Sequence, residues 1–261
     1  MLTVVITFVG LILGSFLSVL LERLPTGQAG LPKGKPGIIS GRSECPHCHR
    51  VLAWYDLIPI LSYVFLWGRC RQCRARISLL YPSLELTMAA VLGLYAYRFG
   101  LTGIWSVVDL VVLFGLVALF FFDLRYQILP DVITIPLILI ALFRLFLNRP
   151  ESLINMLIMG FVLTLIFGLL YMISHGRWLG LGDVKLAMLI GLLFGYPEAL
   201  GVTLVAVWTG ALVGLGLIML GRASMKTALP FGSFWTLVAI ITMIVPGPIG
   251  YISKLFMPVF N

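Results

Sequence analysis

Two of the ten acidic residues in this 261-residue chain lie where apolar stretches end or begin. Asp123 follows two phenylalanines at the end of one stretch, and Asp183 opens another in the segment Gly-Leu-Gly-Asp-Val-Lys over 180–185. Two carboxylates placed close together cannot both ionise cheaply, so they share a proton. One then acts as a base towards water while the other donates to a carbonyl oxygen. The two aspartates therefore suggest acid–base hydrolysis, with Gly180 and Gly182 letting the backbone approach a substrate.

A structural role for Asp183 stays open, because an aspartate at a helix N-terminus caps the helix and complements its dipole. Asp131, directly after Pro130, is interpreted as such a cap. Glu85 is expected at the start of the second predicted helix, where its charge also complements the helix dipole. Asp109 is expected in the outer half of its helix, too far from Asp123 and Asp183 to join them.

All four cysteines lie in one polar region, as Cys45-x-x-Cys48 and Cys70-x-x-Cys73 with 21 residues between the two pairs. Two such pairs resemble a four-cysteine zinc ribbon, in which each pair supplies two thiolates to a tetrahedral ion. Disulfides are the alternative, and a cytoplasmic location disfavours them. The pattern predicts a structural zinc ion, because four protein ligands leave no position for a substrate. His47 lies within this region but is not needed as a ligand.

The composition excludes a soluble protein. Hydrophobic residues make up 61% of the chain, charged residues only 11%, and the mean hydropathy is +1.09. A soluble domain carries about 25% charged residues. The apolar residues come in blocks of about the 20 residues that one helical span requires. We therefore predict an all-α polytopic membrane protein.

Eight membrane segments are predicted. Helices are expected because lipid offers no hydrogen-bond partners to backbone N–H and C=O groups, so these groups must pair within the protein. The sixth is short, and the last is interrupted by Pro246 and Pro248. The domain prediction is a first helix at 1–22, a cytoplasmic four-cysteine insert at 23–83 and a bundle at 84–261. The segments are 3–21, 84–99, 104–122, 131–147, 152–174, 184–195, 199–221 and 232–258.

The basic residues predict the orientation. With the N-terminus outside, 14 of the 18 lysines and arginines lie on the cytoplasmic side, nine of them in the long loop. This asymmetry is the usual topology signal, and it explains the net charge of +8 without nucleic acid. No basic residue precedes the first apolar segment, so it is expected to be a retained helix rather than a signal peptide. Asp123 and Asp183 are then both near the cytoplasmic face.

These elements together resemble the bacterial type IV prepilin peptidase family, membrane aspartyl peptidases of the Gly-x-Gly-Asp type. The resemblance covers nearly the whole chain, and the ordered combination is far more specific than any one motif. One departure is Arg125, where many members carry a second acid. The matching segments are Gly14–Val19 with Arg23–Pro25, the paired cysteines, Ile77–Ser78 with Tyr81–Pro82 and Glu85, Phe122–Asp123 with Leu129–Asp131, and Gly180–Lys185.

The resemblance implies that Asp123 and Asp183 are catalytic, supported by Gly180, Gly182 and Lys185. It implies substrates that are precursors of pilins, pseudopilins or competence pilins, with a basic leader cleaved after a glycine at the cytoplasmic face of the bacterial inner membrane. Many members also methylate the new N-terminus with S-adenosylmethionine. No glycine loop for that cofactor is recognisable in the sequence.

Two other functions compete with this interpretation. Carboxylates within membranes also relay protons in transporters, but here they lie at one face and no inverted repeat is visible. A membrane-anchored zinc-ribbon binding module would depend on the cysteines alone. Lipid headgroups are the expected partners of Arg69, Arg71, Arg74 and Arg76, at about 1 kcal/mol per residue.

Overall fold

The computed structural model describes residues 1–24, 42–148, 150–224, 227 and 229–247. The Gly/Pro-rich stretch at 27–37 and the predicted end of the eighth segment, 248–258, lie outside the described residues. Contacts within the chain divide it into two units, Met1–Gly100 and Leu101–Asn261. Each unit is described by itself below.

The described residues form nine α-helices and no strand, as predicted for an all-α protein. Two isolated β-bridges, Glu44 with Val51 and Arg69 with Arg76, close the two cysteine-bearing turns. Short 3₁₀ helices cover Trp54–Leu57 and Pro150–Ser152. The α-helices are α1 (Leu2–Arg23), α2 (Leu61–Phe65), α3 (Leu80–Phe99), α4 (Ile104–Tyr126), α5 (Asp131–Asn148), α6 (Leu153–Ser174), α7 (Leu181–Phe194), α8 (Glu198–Met219) and α9 (Phe231–Ile244).

In the first unit α1 packs against α3 through two glycines. A Cβ added at Gly10 would lie 2.7 Å from the Ala89 Cα, and one added at Gly14 would lie 2.5 Å from the Glu85 Cα. The two backbones are thus in direct contact. Lipid tails are as apolar as leucine, so helices associate in a membrane by such close packing rather than by hydrophobic burial. Only glycine is compatible with the α1–α3 contact at these positions.

The second unit contains α4 to α9. Helix α4 packs on α5 and α9, and α7 packs on α5, α6, α8 and α9. Gly191 of α7 lies directly against the backbone of Gly160 in α6, so a Cβ at Gly191 would overlap it. This contact fixes the position of α7 along α6. The position of Asp183, which lies in the first turn of α7, is fixed with it.

Five of these helices are long and apolar enough to cross a membrane: α1, α4, α5, α6 and α8. Helix α9 is apolar but shorter. The protein is therefore a multi-pass membrane protein, while the number eight stays a prediction. Every predicted segment corresponds to a helix. Helix α9, which corresponds to the eighth predicted segment, ends at Ile244 because Val245 precedes Pro246 and adopts a non-helical conformation, with φ −129° and ψ 78°.

Candidate active site and cysteine cluster

Asp123 is buried near the C-terminal end of α4, with only 5% of its surface exposed. The helix ends just beyond it, because Gln127 adopts the left-handed conformation, with φ 53°, and donates its N–H to the Asp123 carbonyl. A buried carboxylate requires hydrogen-bond donors around it. The structure supplies them from a helix more than a hundred residues further along the chain.

Ser233, in the first turn of α9, donates twice to the Asp123 carboxylate. Its backbone N–H lies 2.5 Å and its hydroxyl 2.8 Å from the same oxygen, Oδ2. Both are donors to a carboxylate, so both favour its charged form. The start of α9 adds a positive partial charge. Sequence reasoning missed Ser233, although the predicted topology placed the start of the last segment at the same face as Asp123.

Asp183 is half-buried at the start of α7. Its Oδ2 accepts the backbone N–H of Gly180 at 3.1 Å, and its own N–H donates to the Gly180 carbonyl at 3.1 Å. Asp183 therefore does cap its helix, as the structural alternative required. A capping contact at one oxygen does not prevent chemistry at the other, so the cap and the catalytic role are compatible.

Leu129 joins the surroundings of the two aspartates. A Cβ added at Gly182 would lie 2.9 Å from the Leu129 Cβ, and one added at Gly232 would lie 3.2 Å from the Leu129 Cδ1. The same added atom at Gly232 would lie 3.1 Å from the Asp123 carboxylate. The ends of α4, α7 and α9 therefore meet around Leu129. Gly182 and Gly232 permit this close packing because neither carries a side chain.

The other acidic residues of this unit have different partners. Lys185 lies 2.5 Å from Asp131 Oδ1, which connects α7 to the first turn of α5. Asp109 pairs with Arg144 at 2.9 Å, joining α4 to α5 in a largely buried contact. Within the described part of this unit, Asp123 and Asp183 are the carboxylates that the helix ends bring together.

Replacing Ser233 with alanine is expected to lower the rate of any reaction that needs the Asp123 carboxylate, by about tenfold. The variant loses one hydrogen bond to a charged group but keeps the backbone N–H. The acid limb of the pH–rate profile should also move to higher pH, because the carboxylate form is less favoured. Steady-state assays from pH 4 to 9 measure both effects.

Ser233→Thr retains the hydroxyl and should restore the rate. Thr236→Ala, one turn further along α9, is the matched control because its hydroxyl bonds only its own helix. An unchanged profile in Ser233→Ala would contradict this role.

The four cysteines of the first unit lie together, with their sulfur atoms all within 4.8 Å of one another. The sulfurs of Cys45 and Cys73, one from each pair, are 3.8 Å apart. Four sulfurs at the Zn–S distance of about 2.3 Å would occupy tetrahedron corners about 3.8 Å apart. None of the four forms a disulfide. The cluster is therefore a geometry that fits a metal ion.

Backbone donors favour the thiolate form of Cys70 within this cluster. The N–H groups of Cys73 and Gln72 point at the Cys70 sulfur and lower the pKa of its thiol to about 6. Each Cys-x-x-Cys pair lies in a helix-like turn. In these turns the N–H of Arg74 donates to the Cys70 carbonyl, and the N–H of His49 donates to the Cys45 carbonyl. The thiolate is the metal-binding form of cysteine. His47 and His49 lie outside the sulfur cluster.

The segment between the two cysteine pairs is tied to them by Arg71. Its guanidinium lies 2.9 Å from Asp56 Oδ1 and 5.0 Å from the centre of the Tyr55 ring. Arg50 donates to Gln72 at 3.2 Å and links the first pair to the second. Arg71 therefore has partners inside the loop, whereas the sequence alone suggested lipid headgroups for all four arginines.

Glu85 differs from its sequence interpretation. It lies in the second turn of α3, which begins at Leu80, and its carboxylate is buried with 8% of its surface exposed. Oε2 accepts the backbone N–H of Ile60 at 2.8 Å. The interpretation as a residue at the helix start was wrong, since α3 begins five residues earlier. Glu85 instead holds the loop segment that precedes α2.

Two family models match the chain, one in each unit. The bacterial peptidase A24 N-terminal domain matches residues 8–99, and the type IV leader peptidase family matches residues 110–215. The first match contains the cysteine cluster, and the second contains Asp123 and Asp183. The boundary between the matches falls where contacts divide the chain.

Curated relatives match along almost their full length. The prepilin leader peptidase/N-methyltransferase of Pseudomonas aeruginosa is 30% identical over 90% of this chain and 87% of its own. Those of Pseudomonas putida and Legionella pneumophila are 32% and 31% identical, over 87% and 92% of this chain and 85% and 90% of their own. No solved structure matches. With its paired helix-end aspartates, its cysteine-bearing N-terminal unit and these relatives, the chain belongs to the type IV leader peptidase family.

Proposed function

We propose that this protein is a membrane aspartyl endopeptidase that removes the leader from type IV prepilin-like precursors and then methylates the new N-terminus. The observation that carries the peptidase is the convergence of Asp123 and Asp183 at neighbouring helix ends, with Ser233 donating twice to Asp123. The names of the relatives carry the second activity. Nothing in the comparisons supports a proton-coupled transporter.

The different environments of the aspartates assign their roles. Asp123, with two donors from Ser233, is the carboxylate that takes a proton from water. Asp183, with one donor from Gly180, carries the shared proton and gives it to the scissile carbonyl oxygen. The water oxygen attacks the carbonyl carbon, and the leaving amine recovers a proton as the C–N bond breaks. Lys185 lies beside this pair and joins the start of α7 to α5 through an exposed ion pair with Asp131.

The substrate follows from this position. A precursor with a long apolar helix lies in the bilayer, and its leader junction reaches the cytoplasmic face, where the orientation predicted from basic residues places both aspartates. Precursors of pilins or pseudopilins with a glycine before the cleaved bond fit this arrangement. Gly180 leaves room for an extended substrate backbone, because an added Cβ there would meet only Asp183 Oδ2 at 3.7 Å and the Gly182 N at 3.8 Å. Gly182, in contrast to the expectation from the sequence, is packed against Leu129.

The cysteines serve a separate purpose in this proposal. Cys45, Cys48, Cys70 and Cys73 would hold a structural zinc ion, which supplies folding energy to a loop with little regular structure. The proposed division is a first helix at 1–22, a zinc-ribbon-like insert at 23–83 and a bundle of about eight spans completed by 84–261. All are placed in the bacterial inner membrane with the insert in the cytoplasm.

The test is a processing assay with a purified pilin precursor and membranes that contain this protein. Processing should shorten the precursor on a gel, and mass spectrometry should find a new N-terminus directly after a glycine. Membranes from cells with the empty vector are the control. A precursor that keeps its full length under both conditions would contradict the proposed function.

A further inference from the structure

An apolar face lies on the short helix α2 of the first unit. Leu61, Val64 and Phe65 follow the three- and four-residue spacing that places side chains on one side of a helix, and all three are exposed. Phe65 is 78% exposed, and Trp67, just past the helix, is 88% exposed. These four residues form the α2 face. Large apolar side chains grouped in this way, rather than scattered singly, indicate contact with a partner or a membrane.

The opposite side of α2 and its C-terminal end hold this face outward. Ser62 and Leu66, on the opposite side, line a cavity between the loop, α1 and α3. Just past the helix, the carbonyl of Gly68 accepts the N–H of Ile77 at 2.7 Å, which ties α2 to the segment that leads into α3. The outward direction of the α2 face is therefore fixed by contacts on its other side.

The depth of α2 follows from the antiparallel packing of α1 and α3. Gly14 lies against Glu85, and Gly14 is nine positions before α1 ends at Arg23, a rise of about 14 Å. The Glu85 carboxylate accepts the N–H of Ile60, the residue directly before α2, at 2.8 Å. The loop therefore folds back alongside the end of α1. Since α1 is long and apolar enough to cross a membrane, α2 lies at the level where that span meets the lipid headgroups.

Positive charge follows the α2 face directly. Arg69, Arg74 and Arg76 are all exposed, and none of them forms an ion pair with another described residue. Arg69 and Arg76 lie opposite each other in an isolated β-bridge. Like charges directly opposite one another destabilise such a pair. An anionic partner relieves this repulsion, and negative lipid headgroups attract basic clusters of this kind.

We propose that the α2 face and these three arginines form an interfacial anchor, which binds the anionic headgroup region of the bilayer that α1 crosses. Phe65 and Trp67 enter the boundary between headgroups and acyl chains, where tryptophan is enriched in membrane proteins. The arginines pair with lipid phosphates beside it. The second cysteine-bearing turn, which carries them, is thereby held against the membrane. This anchor is independent of the proposed peptidase, because Asp123 and Asp183 belong to the other unit.

Photo-crosslinking tests what the α2 face contacts. Phe65 is replaced by p-benzoylphenylalanine in the full-length protein, which is placed in lipid nanodiscs that hold one copy and is then irradiated. Mass spectrometry of the intact chain should find an adduct with one phospholipid. Phe8, exposed on α1, is the positive control for lipid, and His49, exposed on the first cysteine-bearing turn, is the negative control. Leu61 serves as a second reporter on the same face, should the change at Phe65 disturb folding.

Lipid composition tests the contribution of the arginines. The yield of the lipid adduct at Phe65 should be at least about threefold higher in anionic phosphatidylglycerol nanodiscs than in neutral phosphatidylcholine nanodiscs. Combining Arg69→Gln, Arg74→Gln and Arg76→Gln should remove this difference. Equal yields in the two lipids with the arginines intact would contradict anionic headgroups as the partner.

Two other results would overturn the anchor. A chain that stays unmodified from both Phe65 and Leu61, while the Phe8 control captures lipid, would place the α2 face in water. The same irradiation in native membranes also allows capture of proteins. An adduct there with a second copy of this chain, another of its segments or a pilin precursor, and none with lipid, would make the α2 face a protein interface.

Discussion

Asp123→Asn and Asp183→Asn should each reduce the rate of precursor cleavage by about a thousandfold or more, with protein levels unchanged. A general acid or base contributes about 10²–10⁴ in rate, and the two carboxylates act as one unit through a shared proton. Asparagine retains the size of the side chain and can still accept hydrogen bonds through its carbonyl oxygen. The variant helices should therefore pack as before. A gel-shift assay with equal amounts of each variant measures the effect.

Asp131→Asn is the matched control for this pair. It removes a carboxylate near the same end of the unit, but this carboxylate is exposed and pairs with Lys185. An exposed ion pair contributes about 0–1 kcal/mol, so cleavage should stay within about tenfold of the native rate. The double variant of Asp123 and Asp183 should be no slower than either single variant. Native-rate cleavage by either single variant would remove that aspartate from the mechanism.

Cys45→Ser should abolish zinc binding and unfold the loop between α1 and α3 while leaving much of the cleavage activity. The loop has only short helices and isolated bridges, and many of its large side chains are exposed, Trp54 at 77% and Trp67 at 88%. Such a loop cannot be held by burial alone, whereas a structural zinc ion contributes on the order of 10 kcal/mol of apparent binding free energy. Zinc content should fall from about one ion per chain to near zero, and proteases should cut within 42–79.

His47→Ala is the matched control, since His47 lies within the first pair but outside the sulfur cluster. It should retain zinc and resist protease. If a chelator instead stops cleavage at once while the loop stays protected from protease, the metal would be part of the hydrolytic site and the aspartyl mechanism would be wrong.

The sequence predicted the helices well because each apolar block is long and its ends carry strong signals. Gly195, with φ 66°, ends α7 immediately after Phe194, and Pro246 ends α9. Segments six and two were placed three or four residues late. Helix α7 begins at Leu181 and α3 at Leu80, because polar residues in a first turn still form helix when a cap or a loop contact satisfies them.

The contacts at the site were harder to predict. Asp123 and Asp183 were identified from their motifs and shared face, and their catalytic role stays a prediction. Ser233 is one of three hydroxyl-bearing residues in the apolar helix α9, with Thr236 and Thr242, and nothing local distinguishes it from a helix-capping serine. Its role depends on α9 lying against α4, which is a contact between residues 110 positions apart. Likewise the bond between Ile60 and Glu85 depends on how the loop folds back, which periodicity does not reveal.

The contact between Gly160 and Gly191 limits how this protein can evolve. Every other residue adds a Cβ, and at Gly191 that atom would overlap the α6 backbone. A larger residue at one position cannot be offset by a smaller one at the other, because none smaller exists. Neighbouring side chains such as Ile158 and Phe161 are 57% and 62% exposed and can exchange among apolar types. Mutational drift in α6 is therefore free on the outward side, while a change at Gly191 cannot be compensated by a change at Gly160.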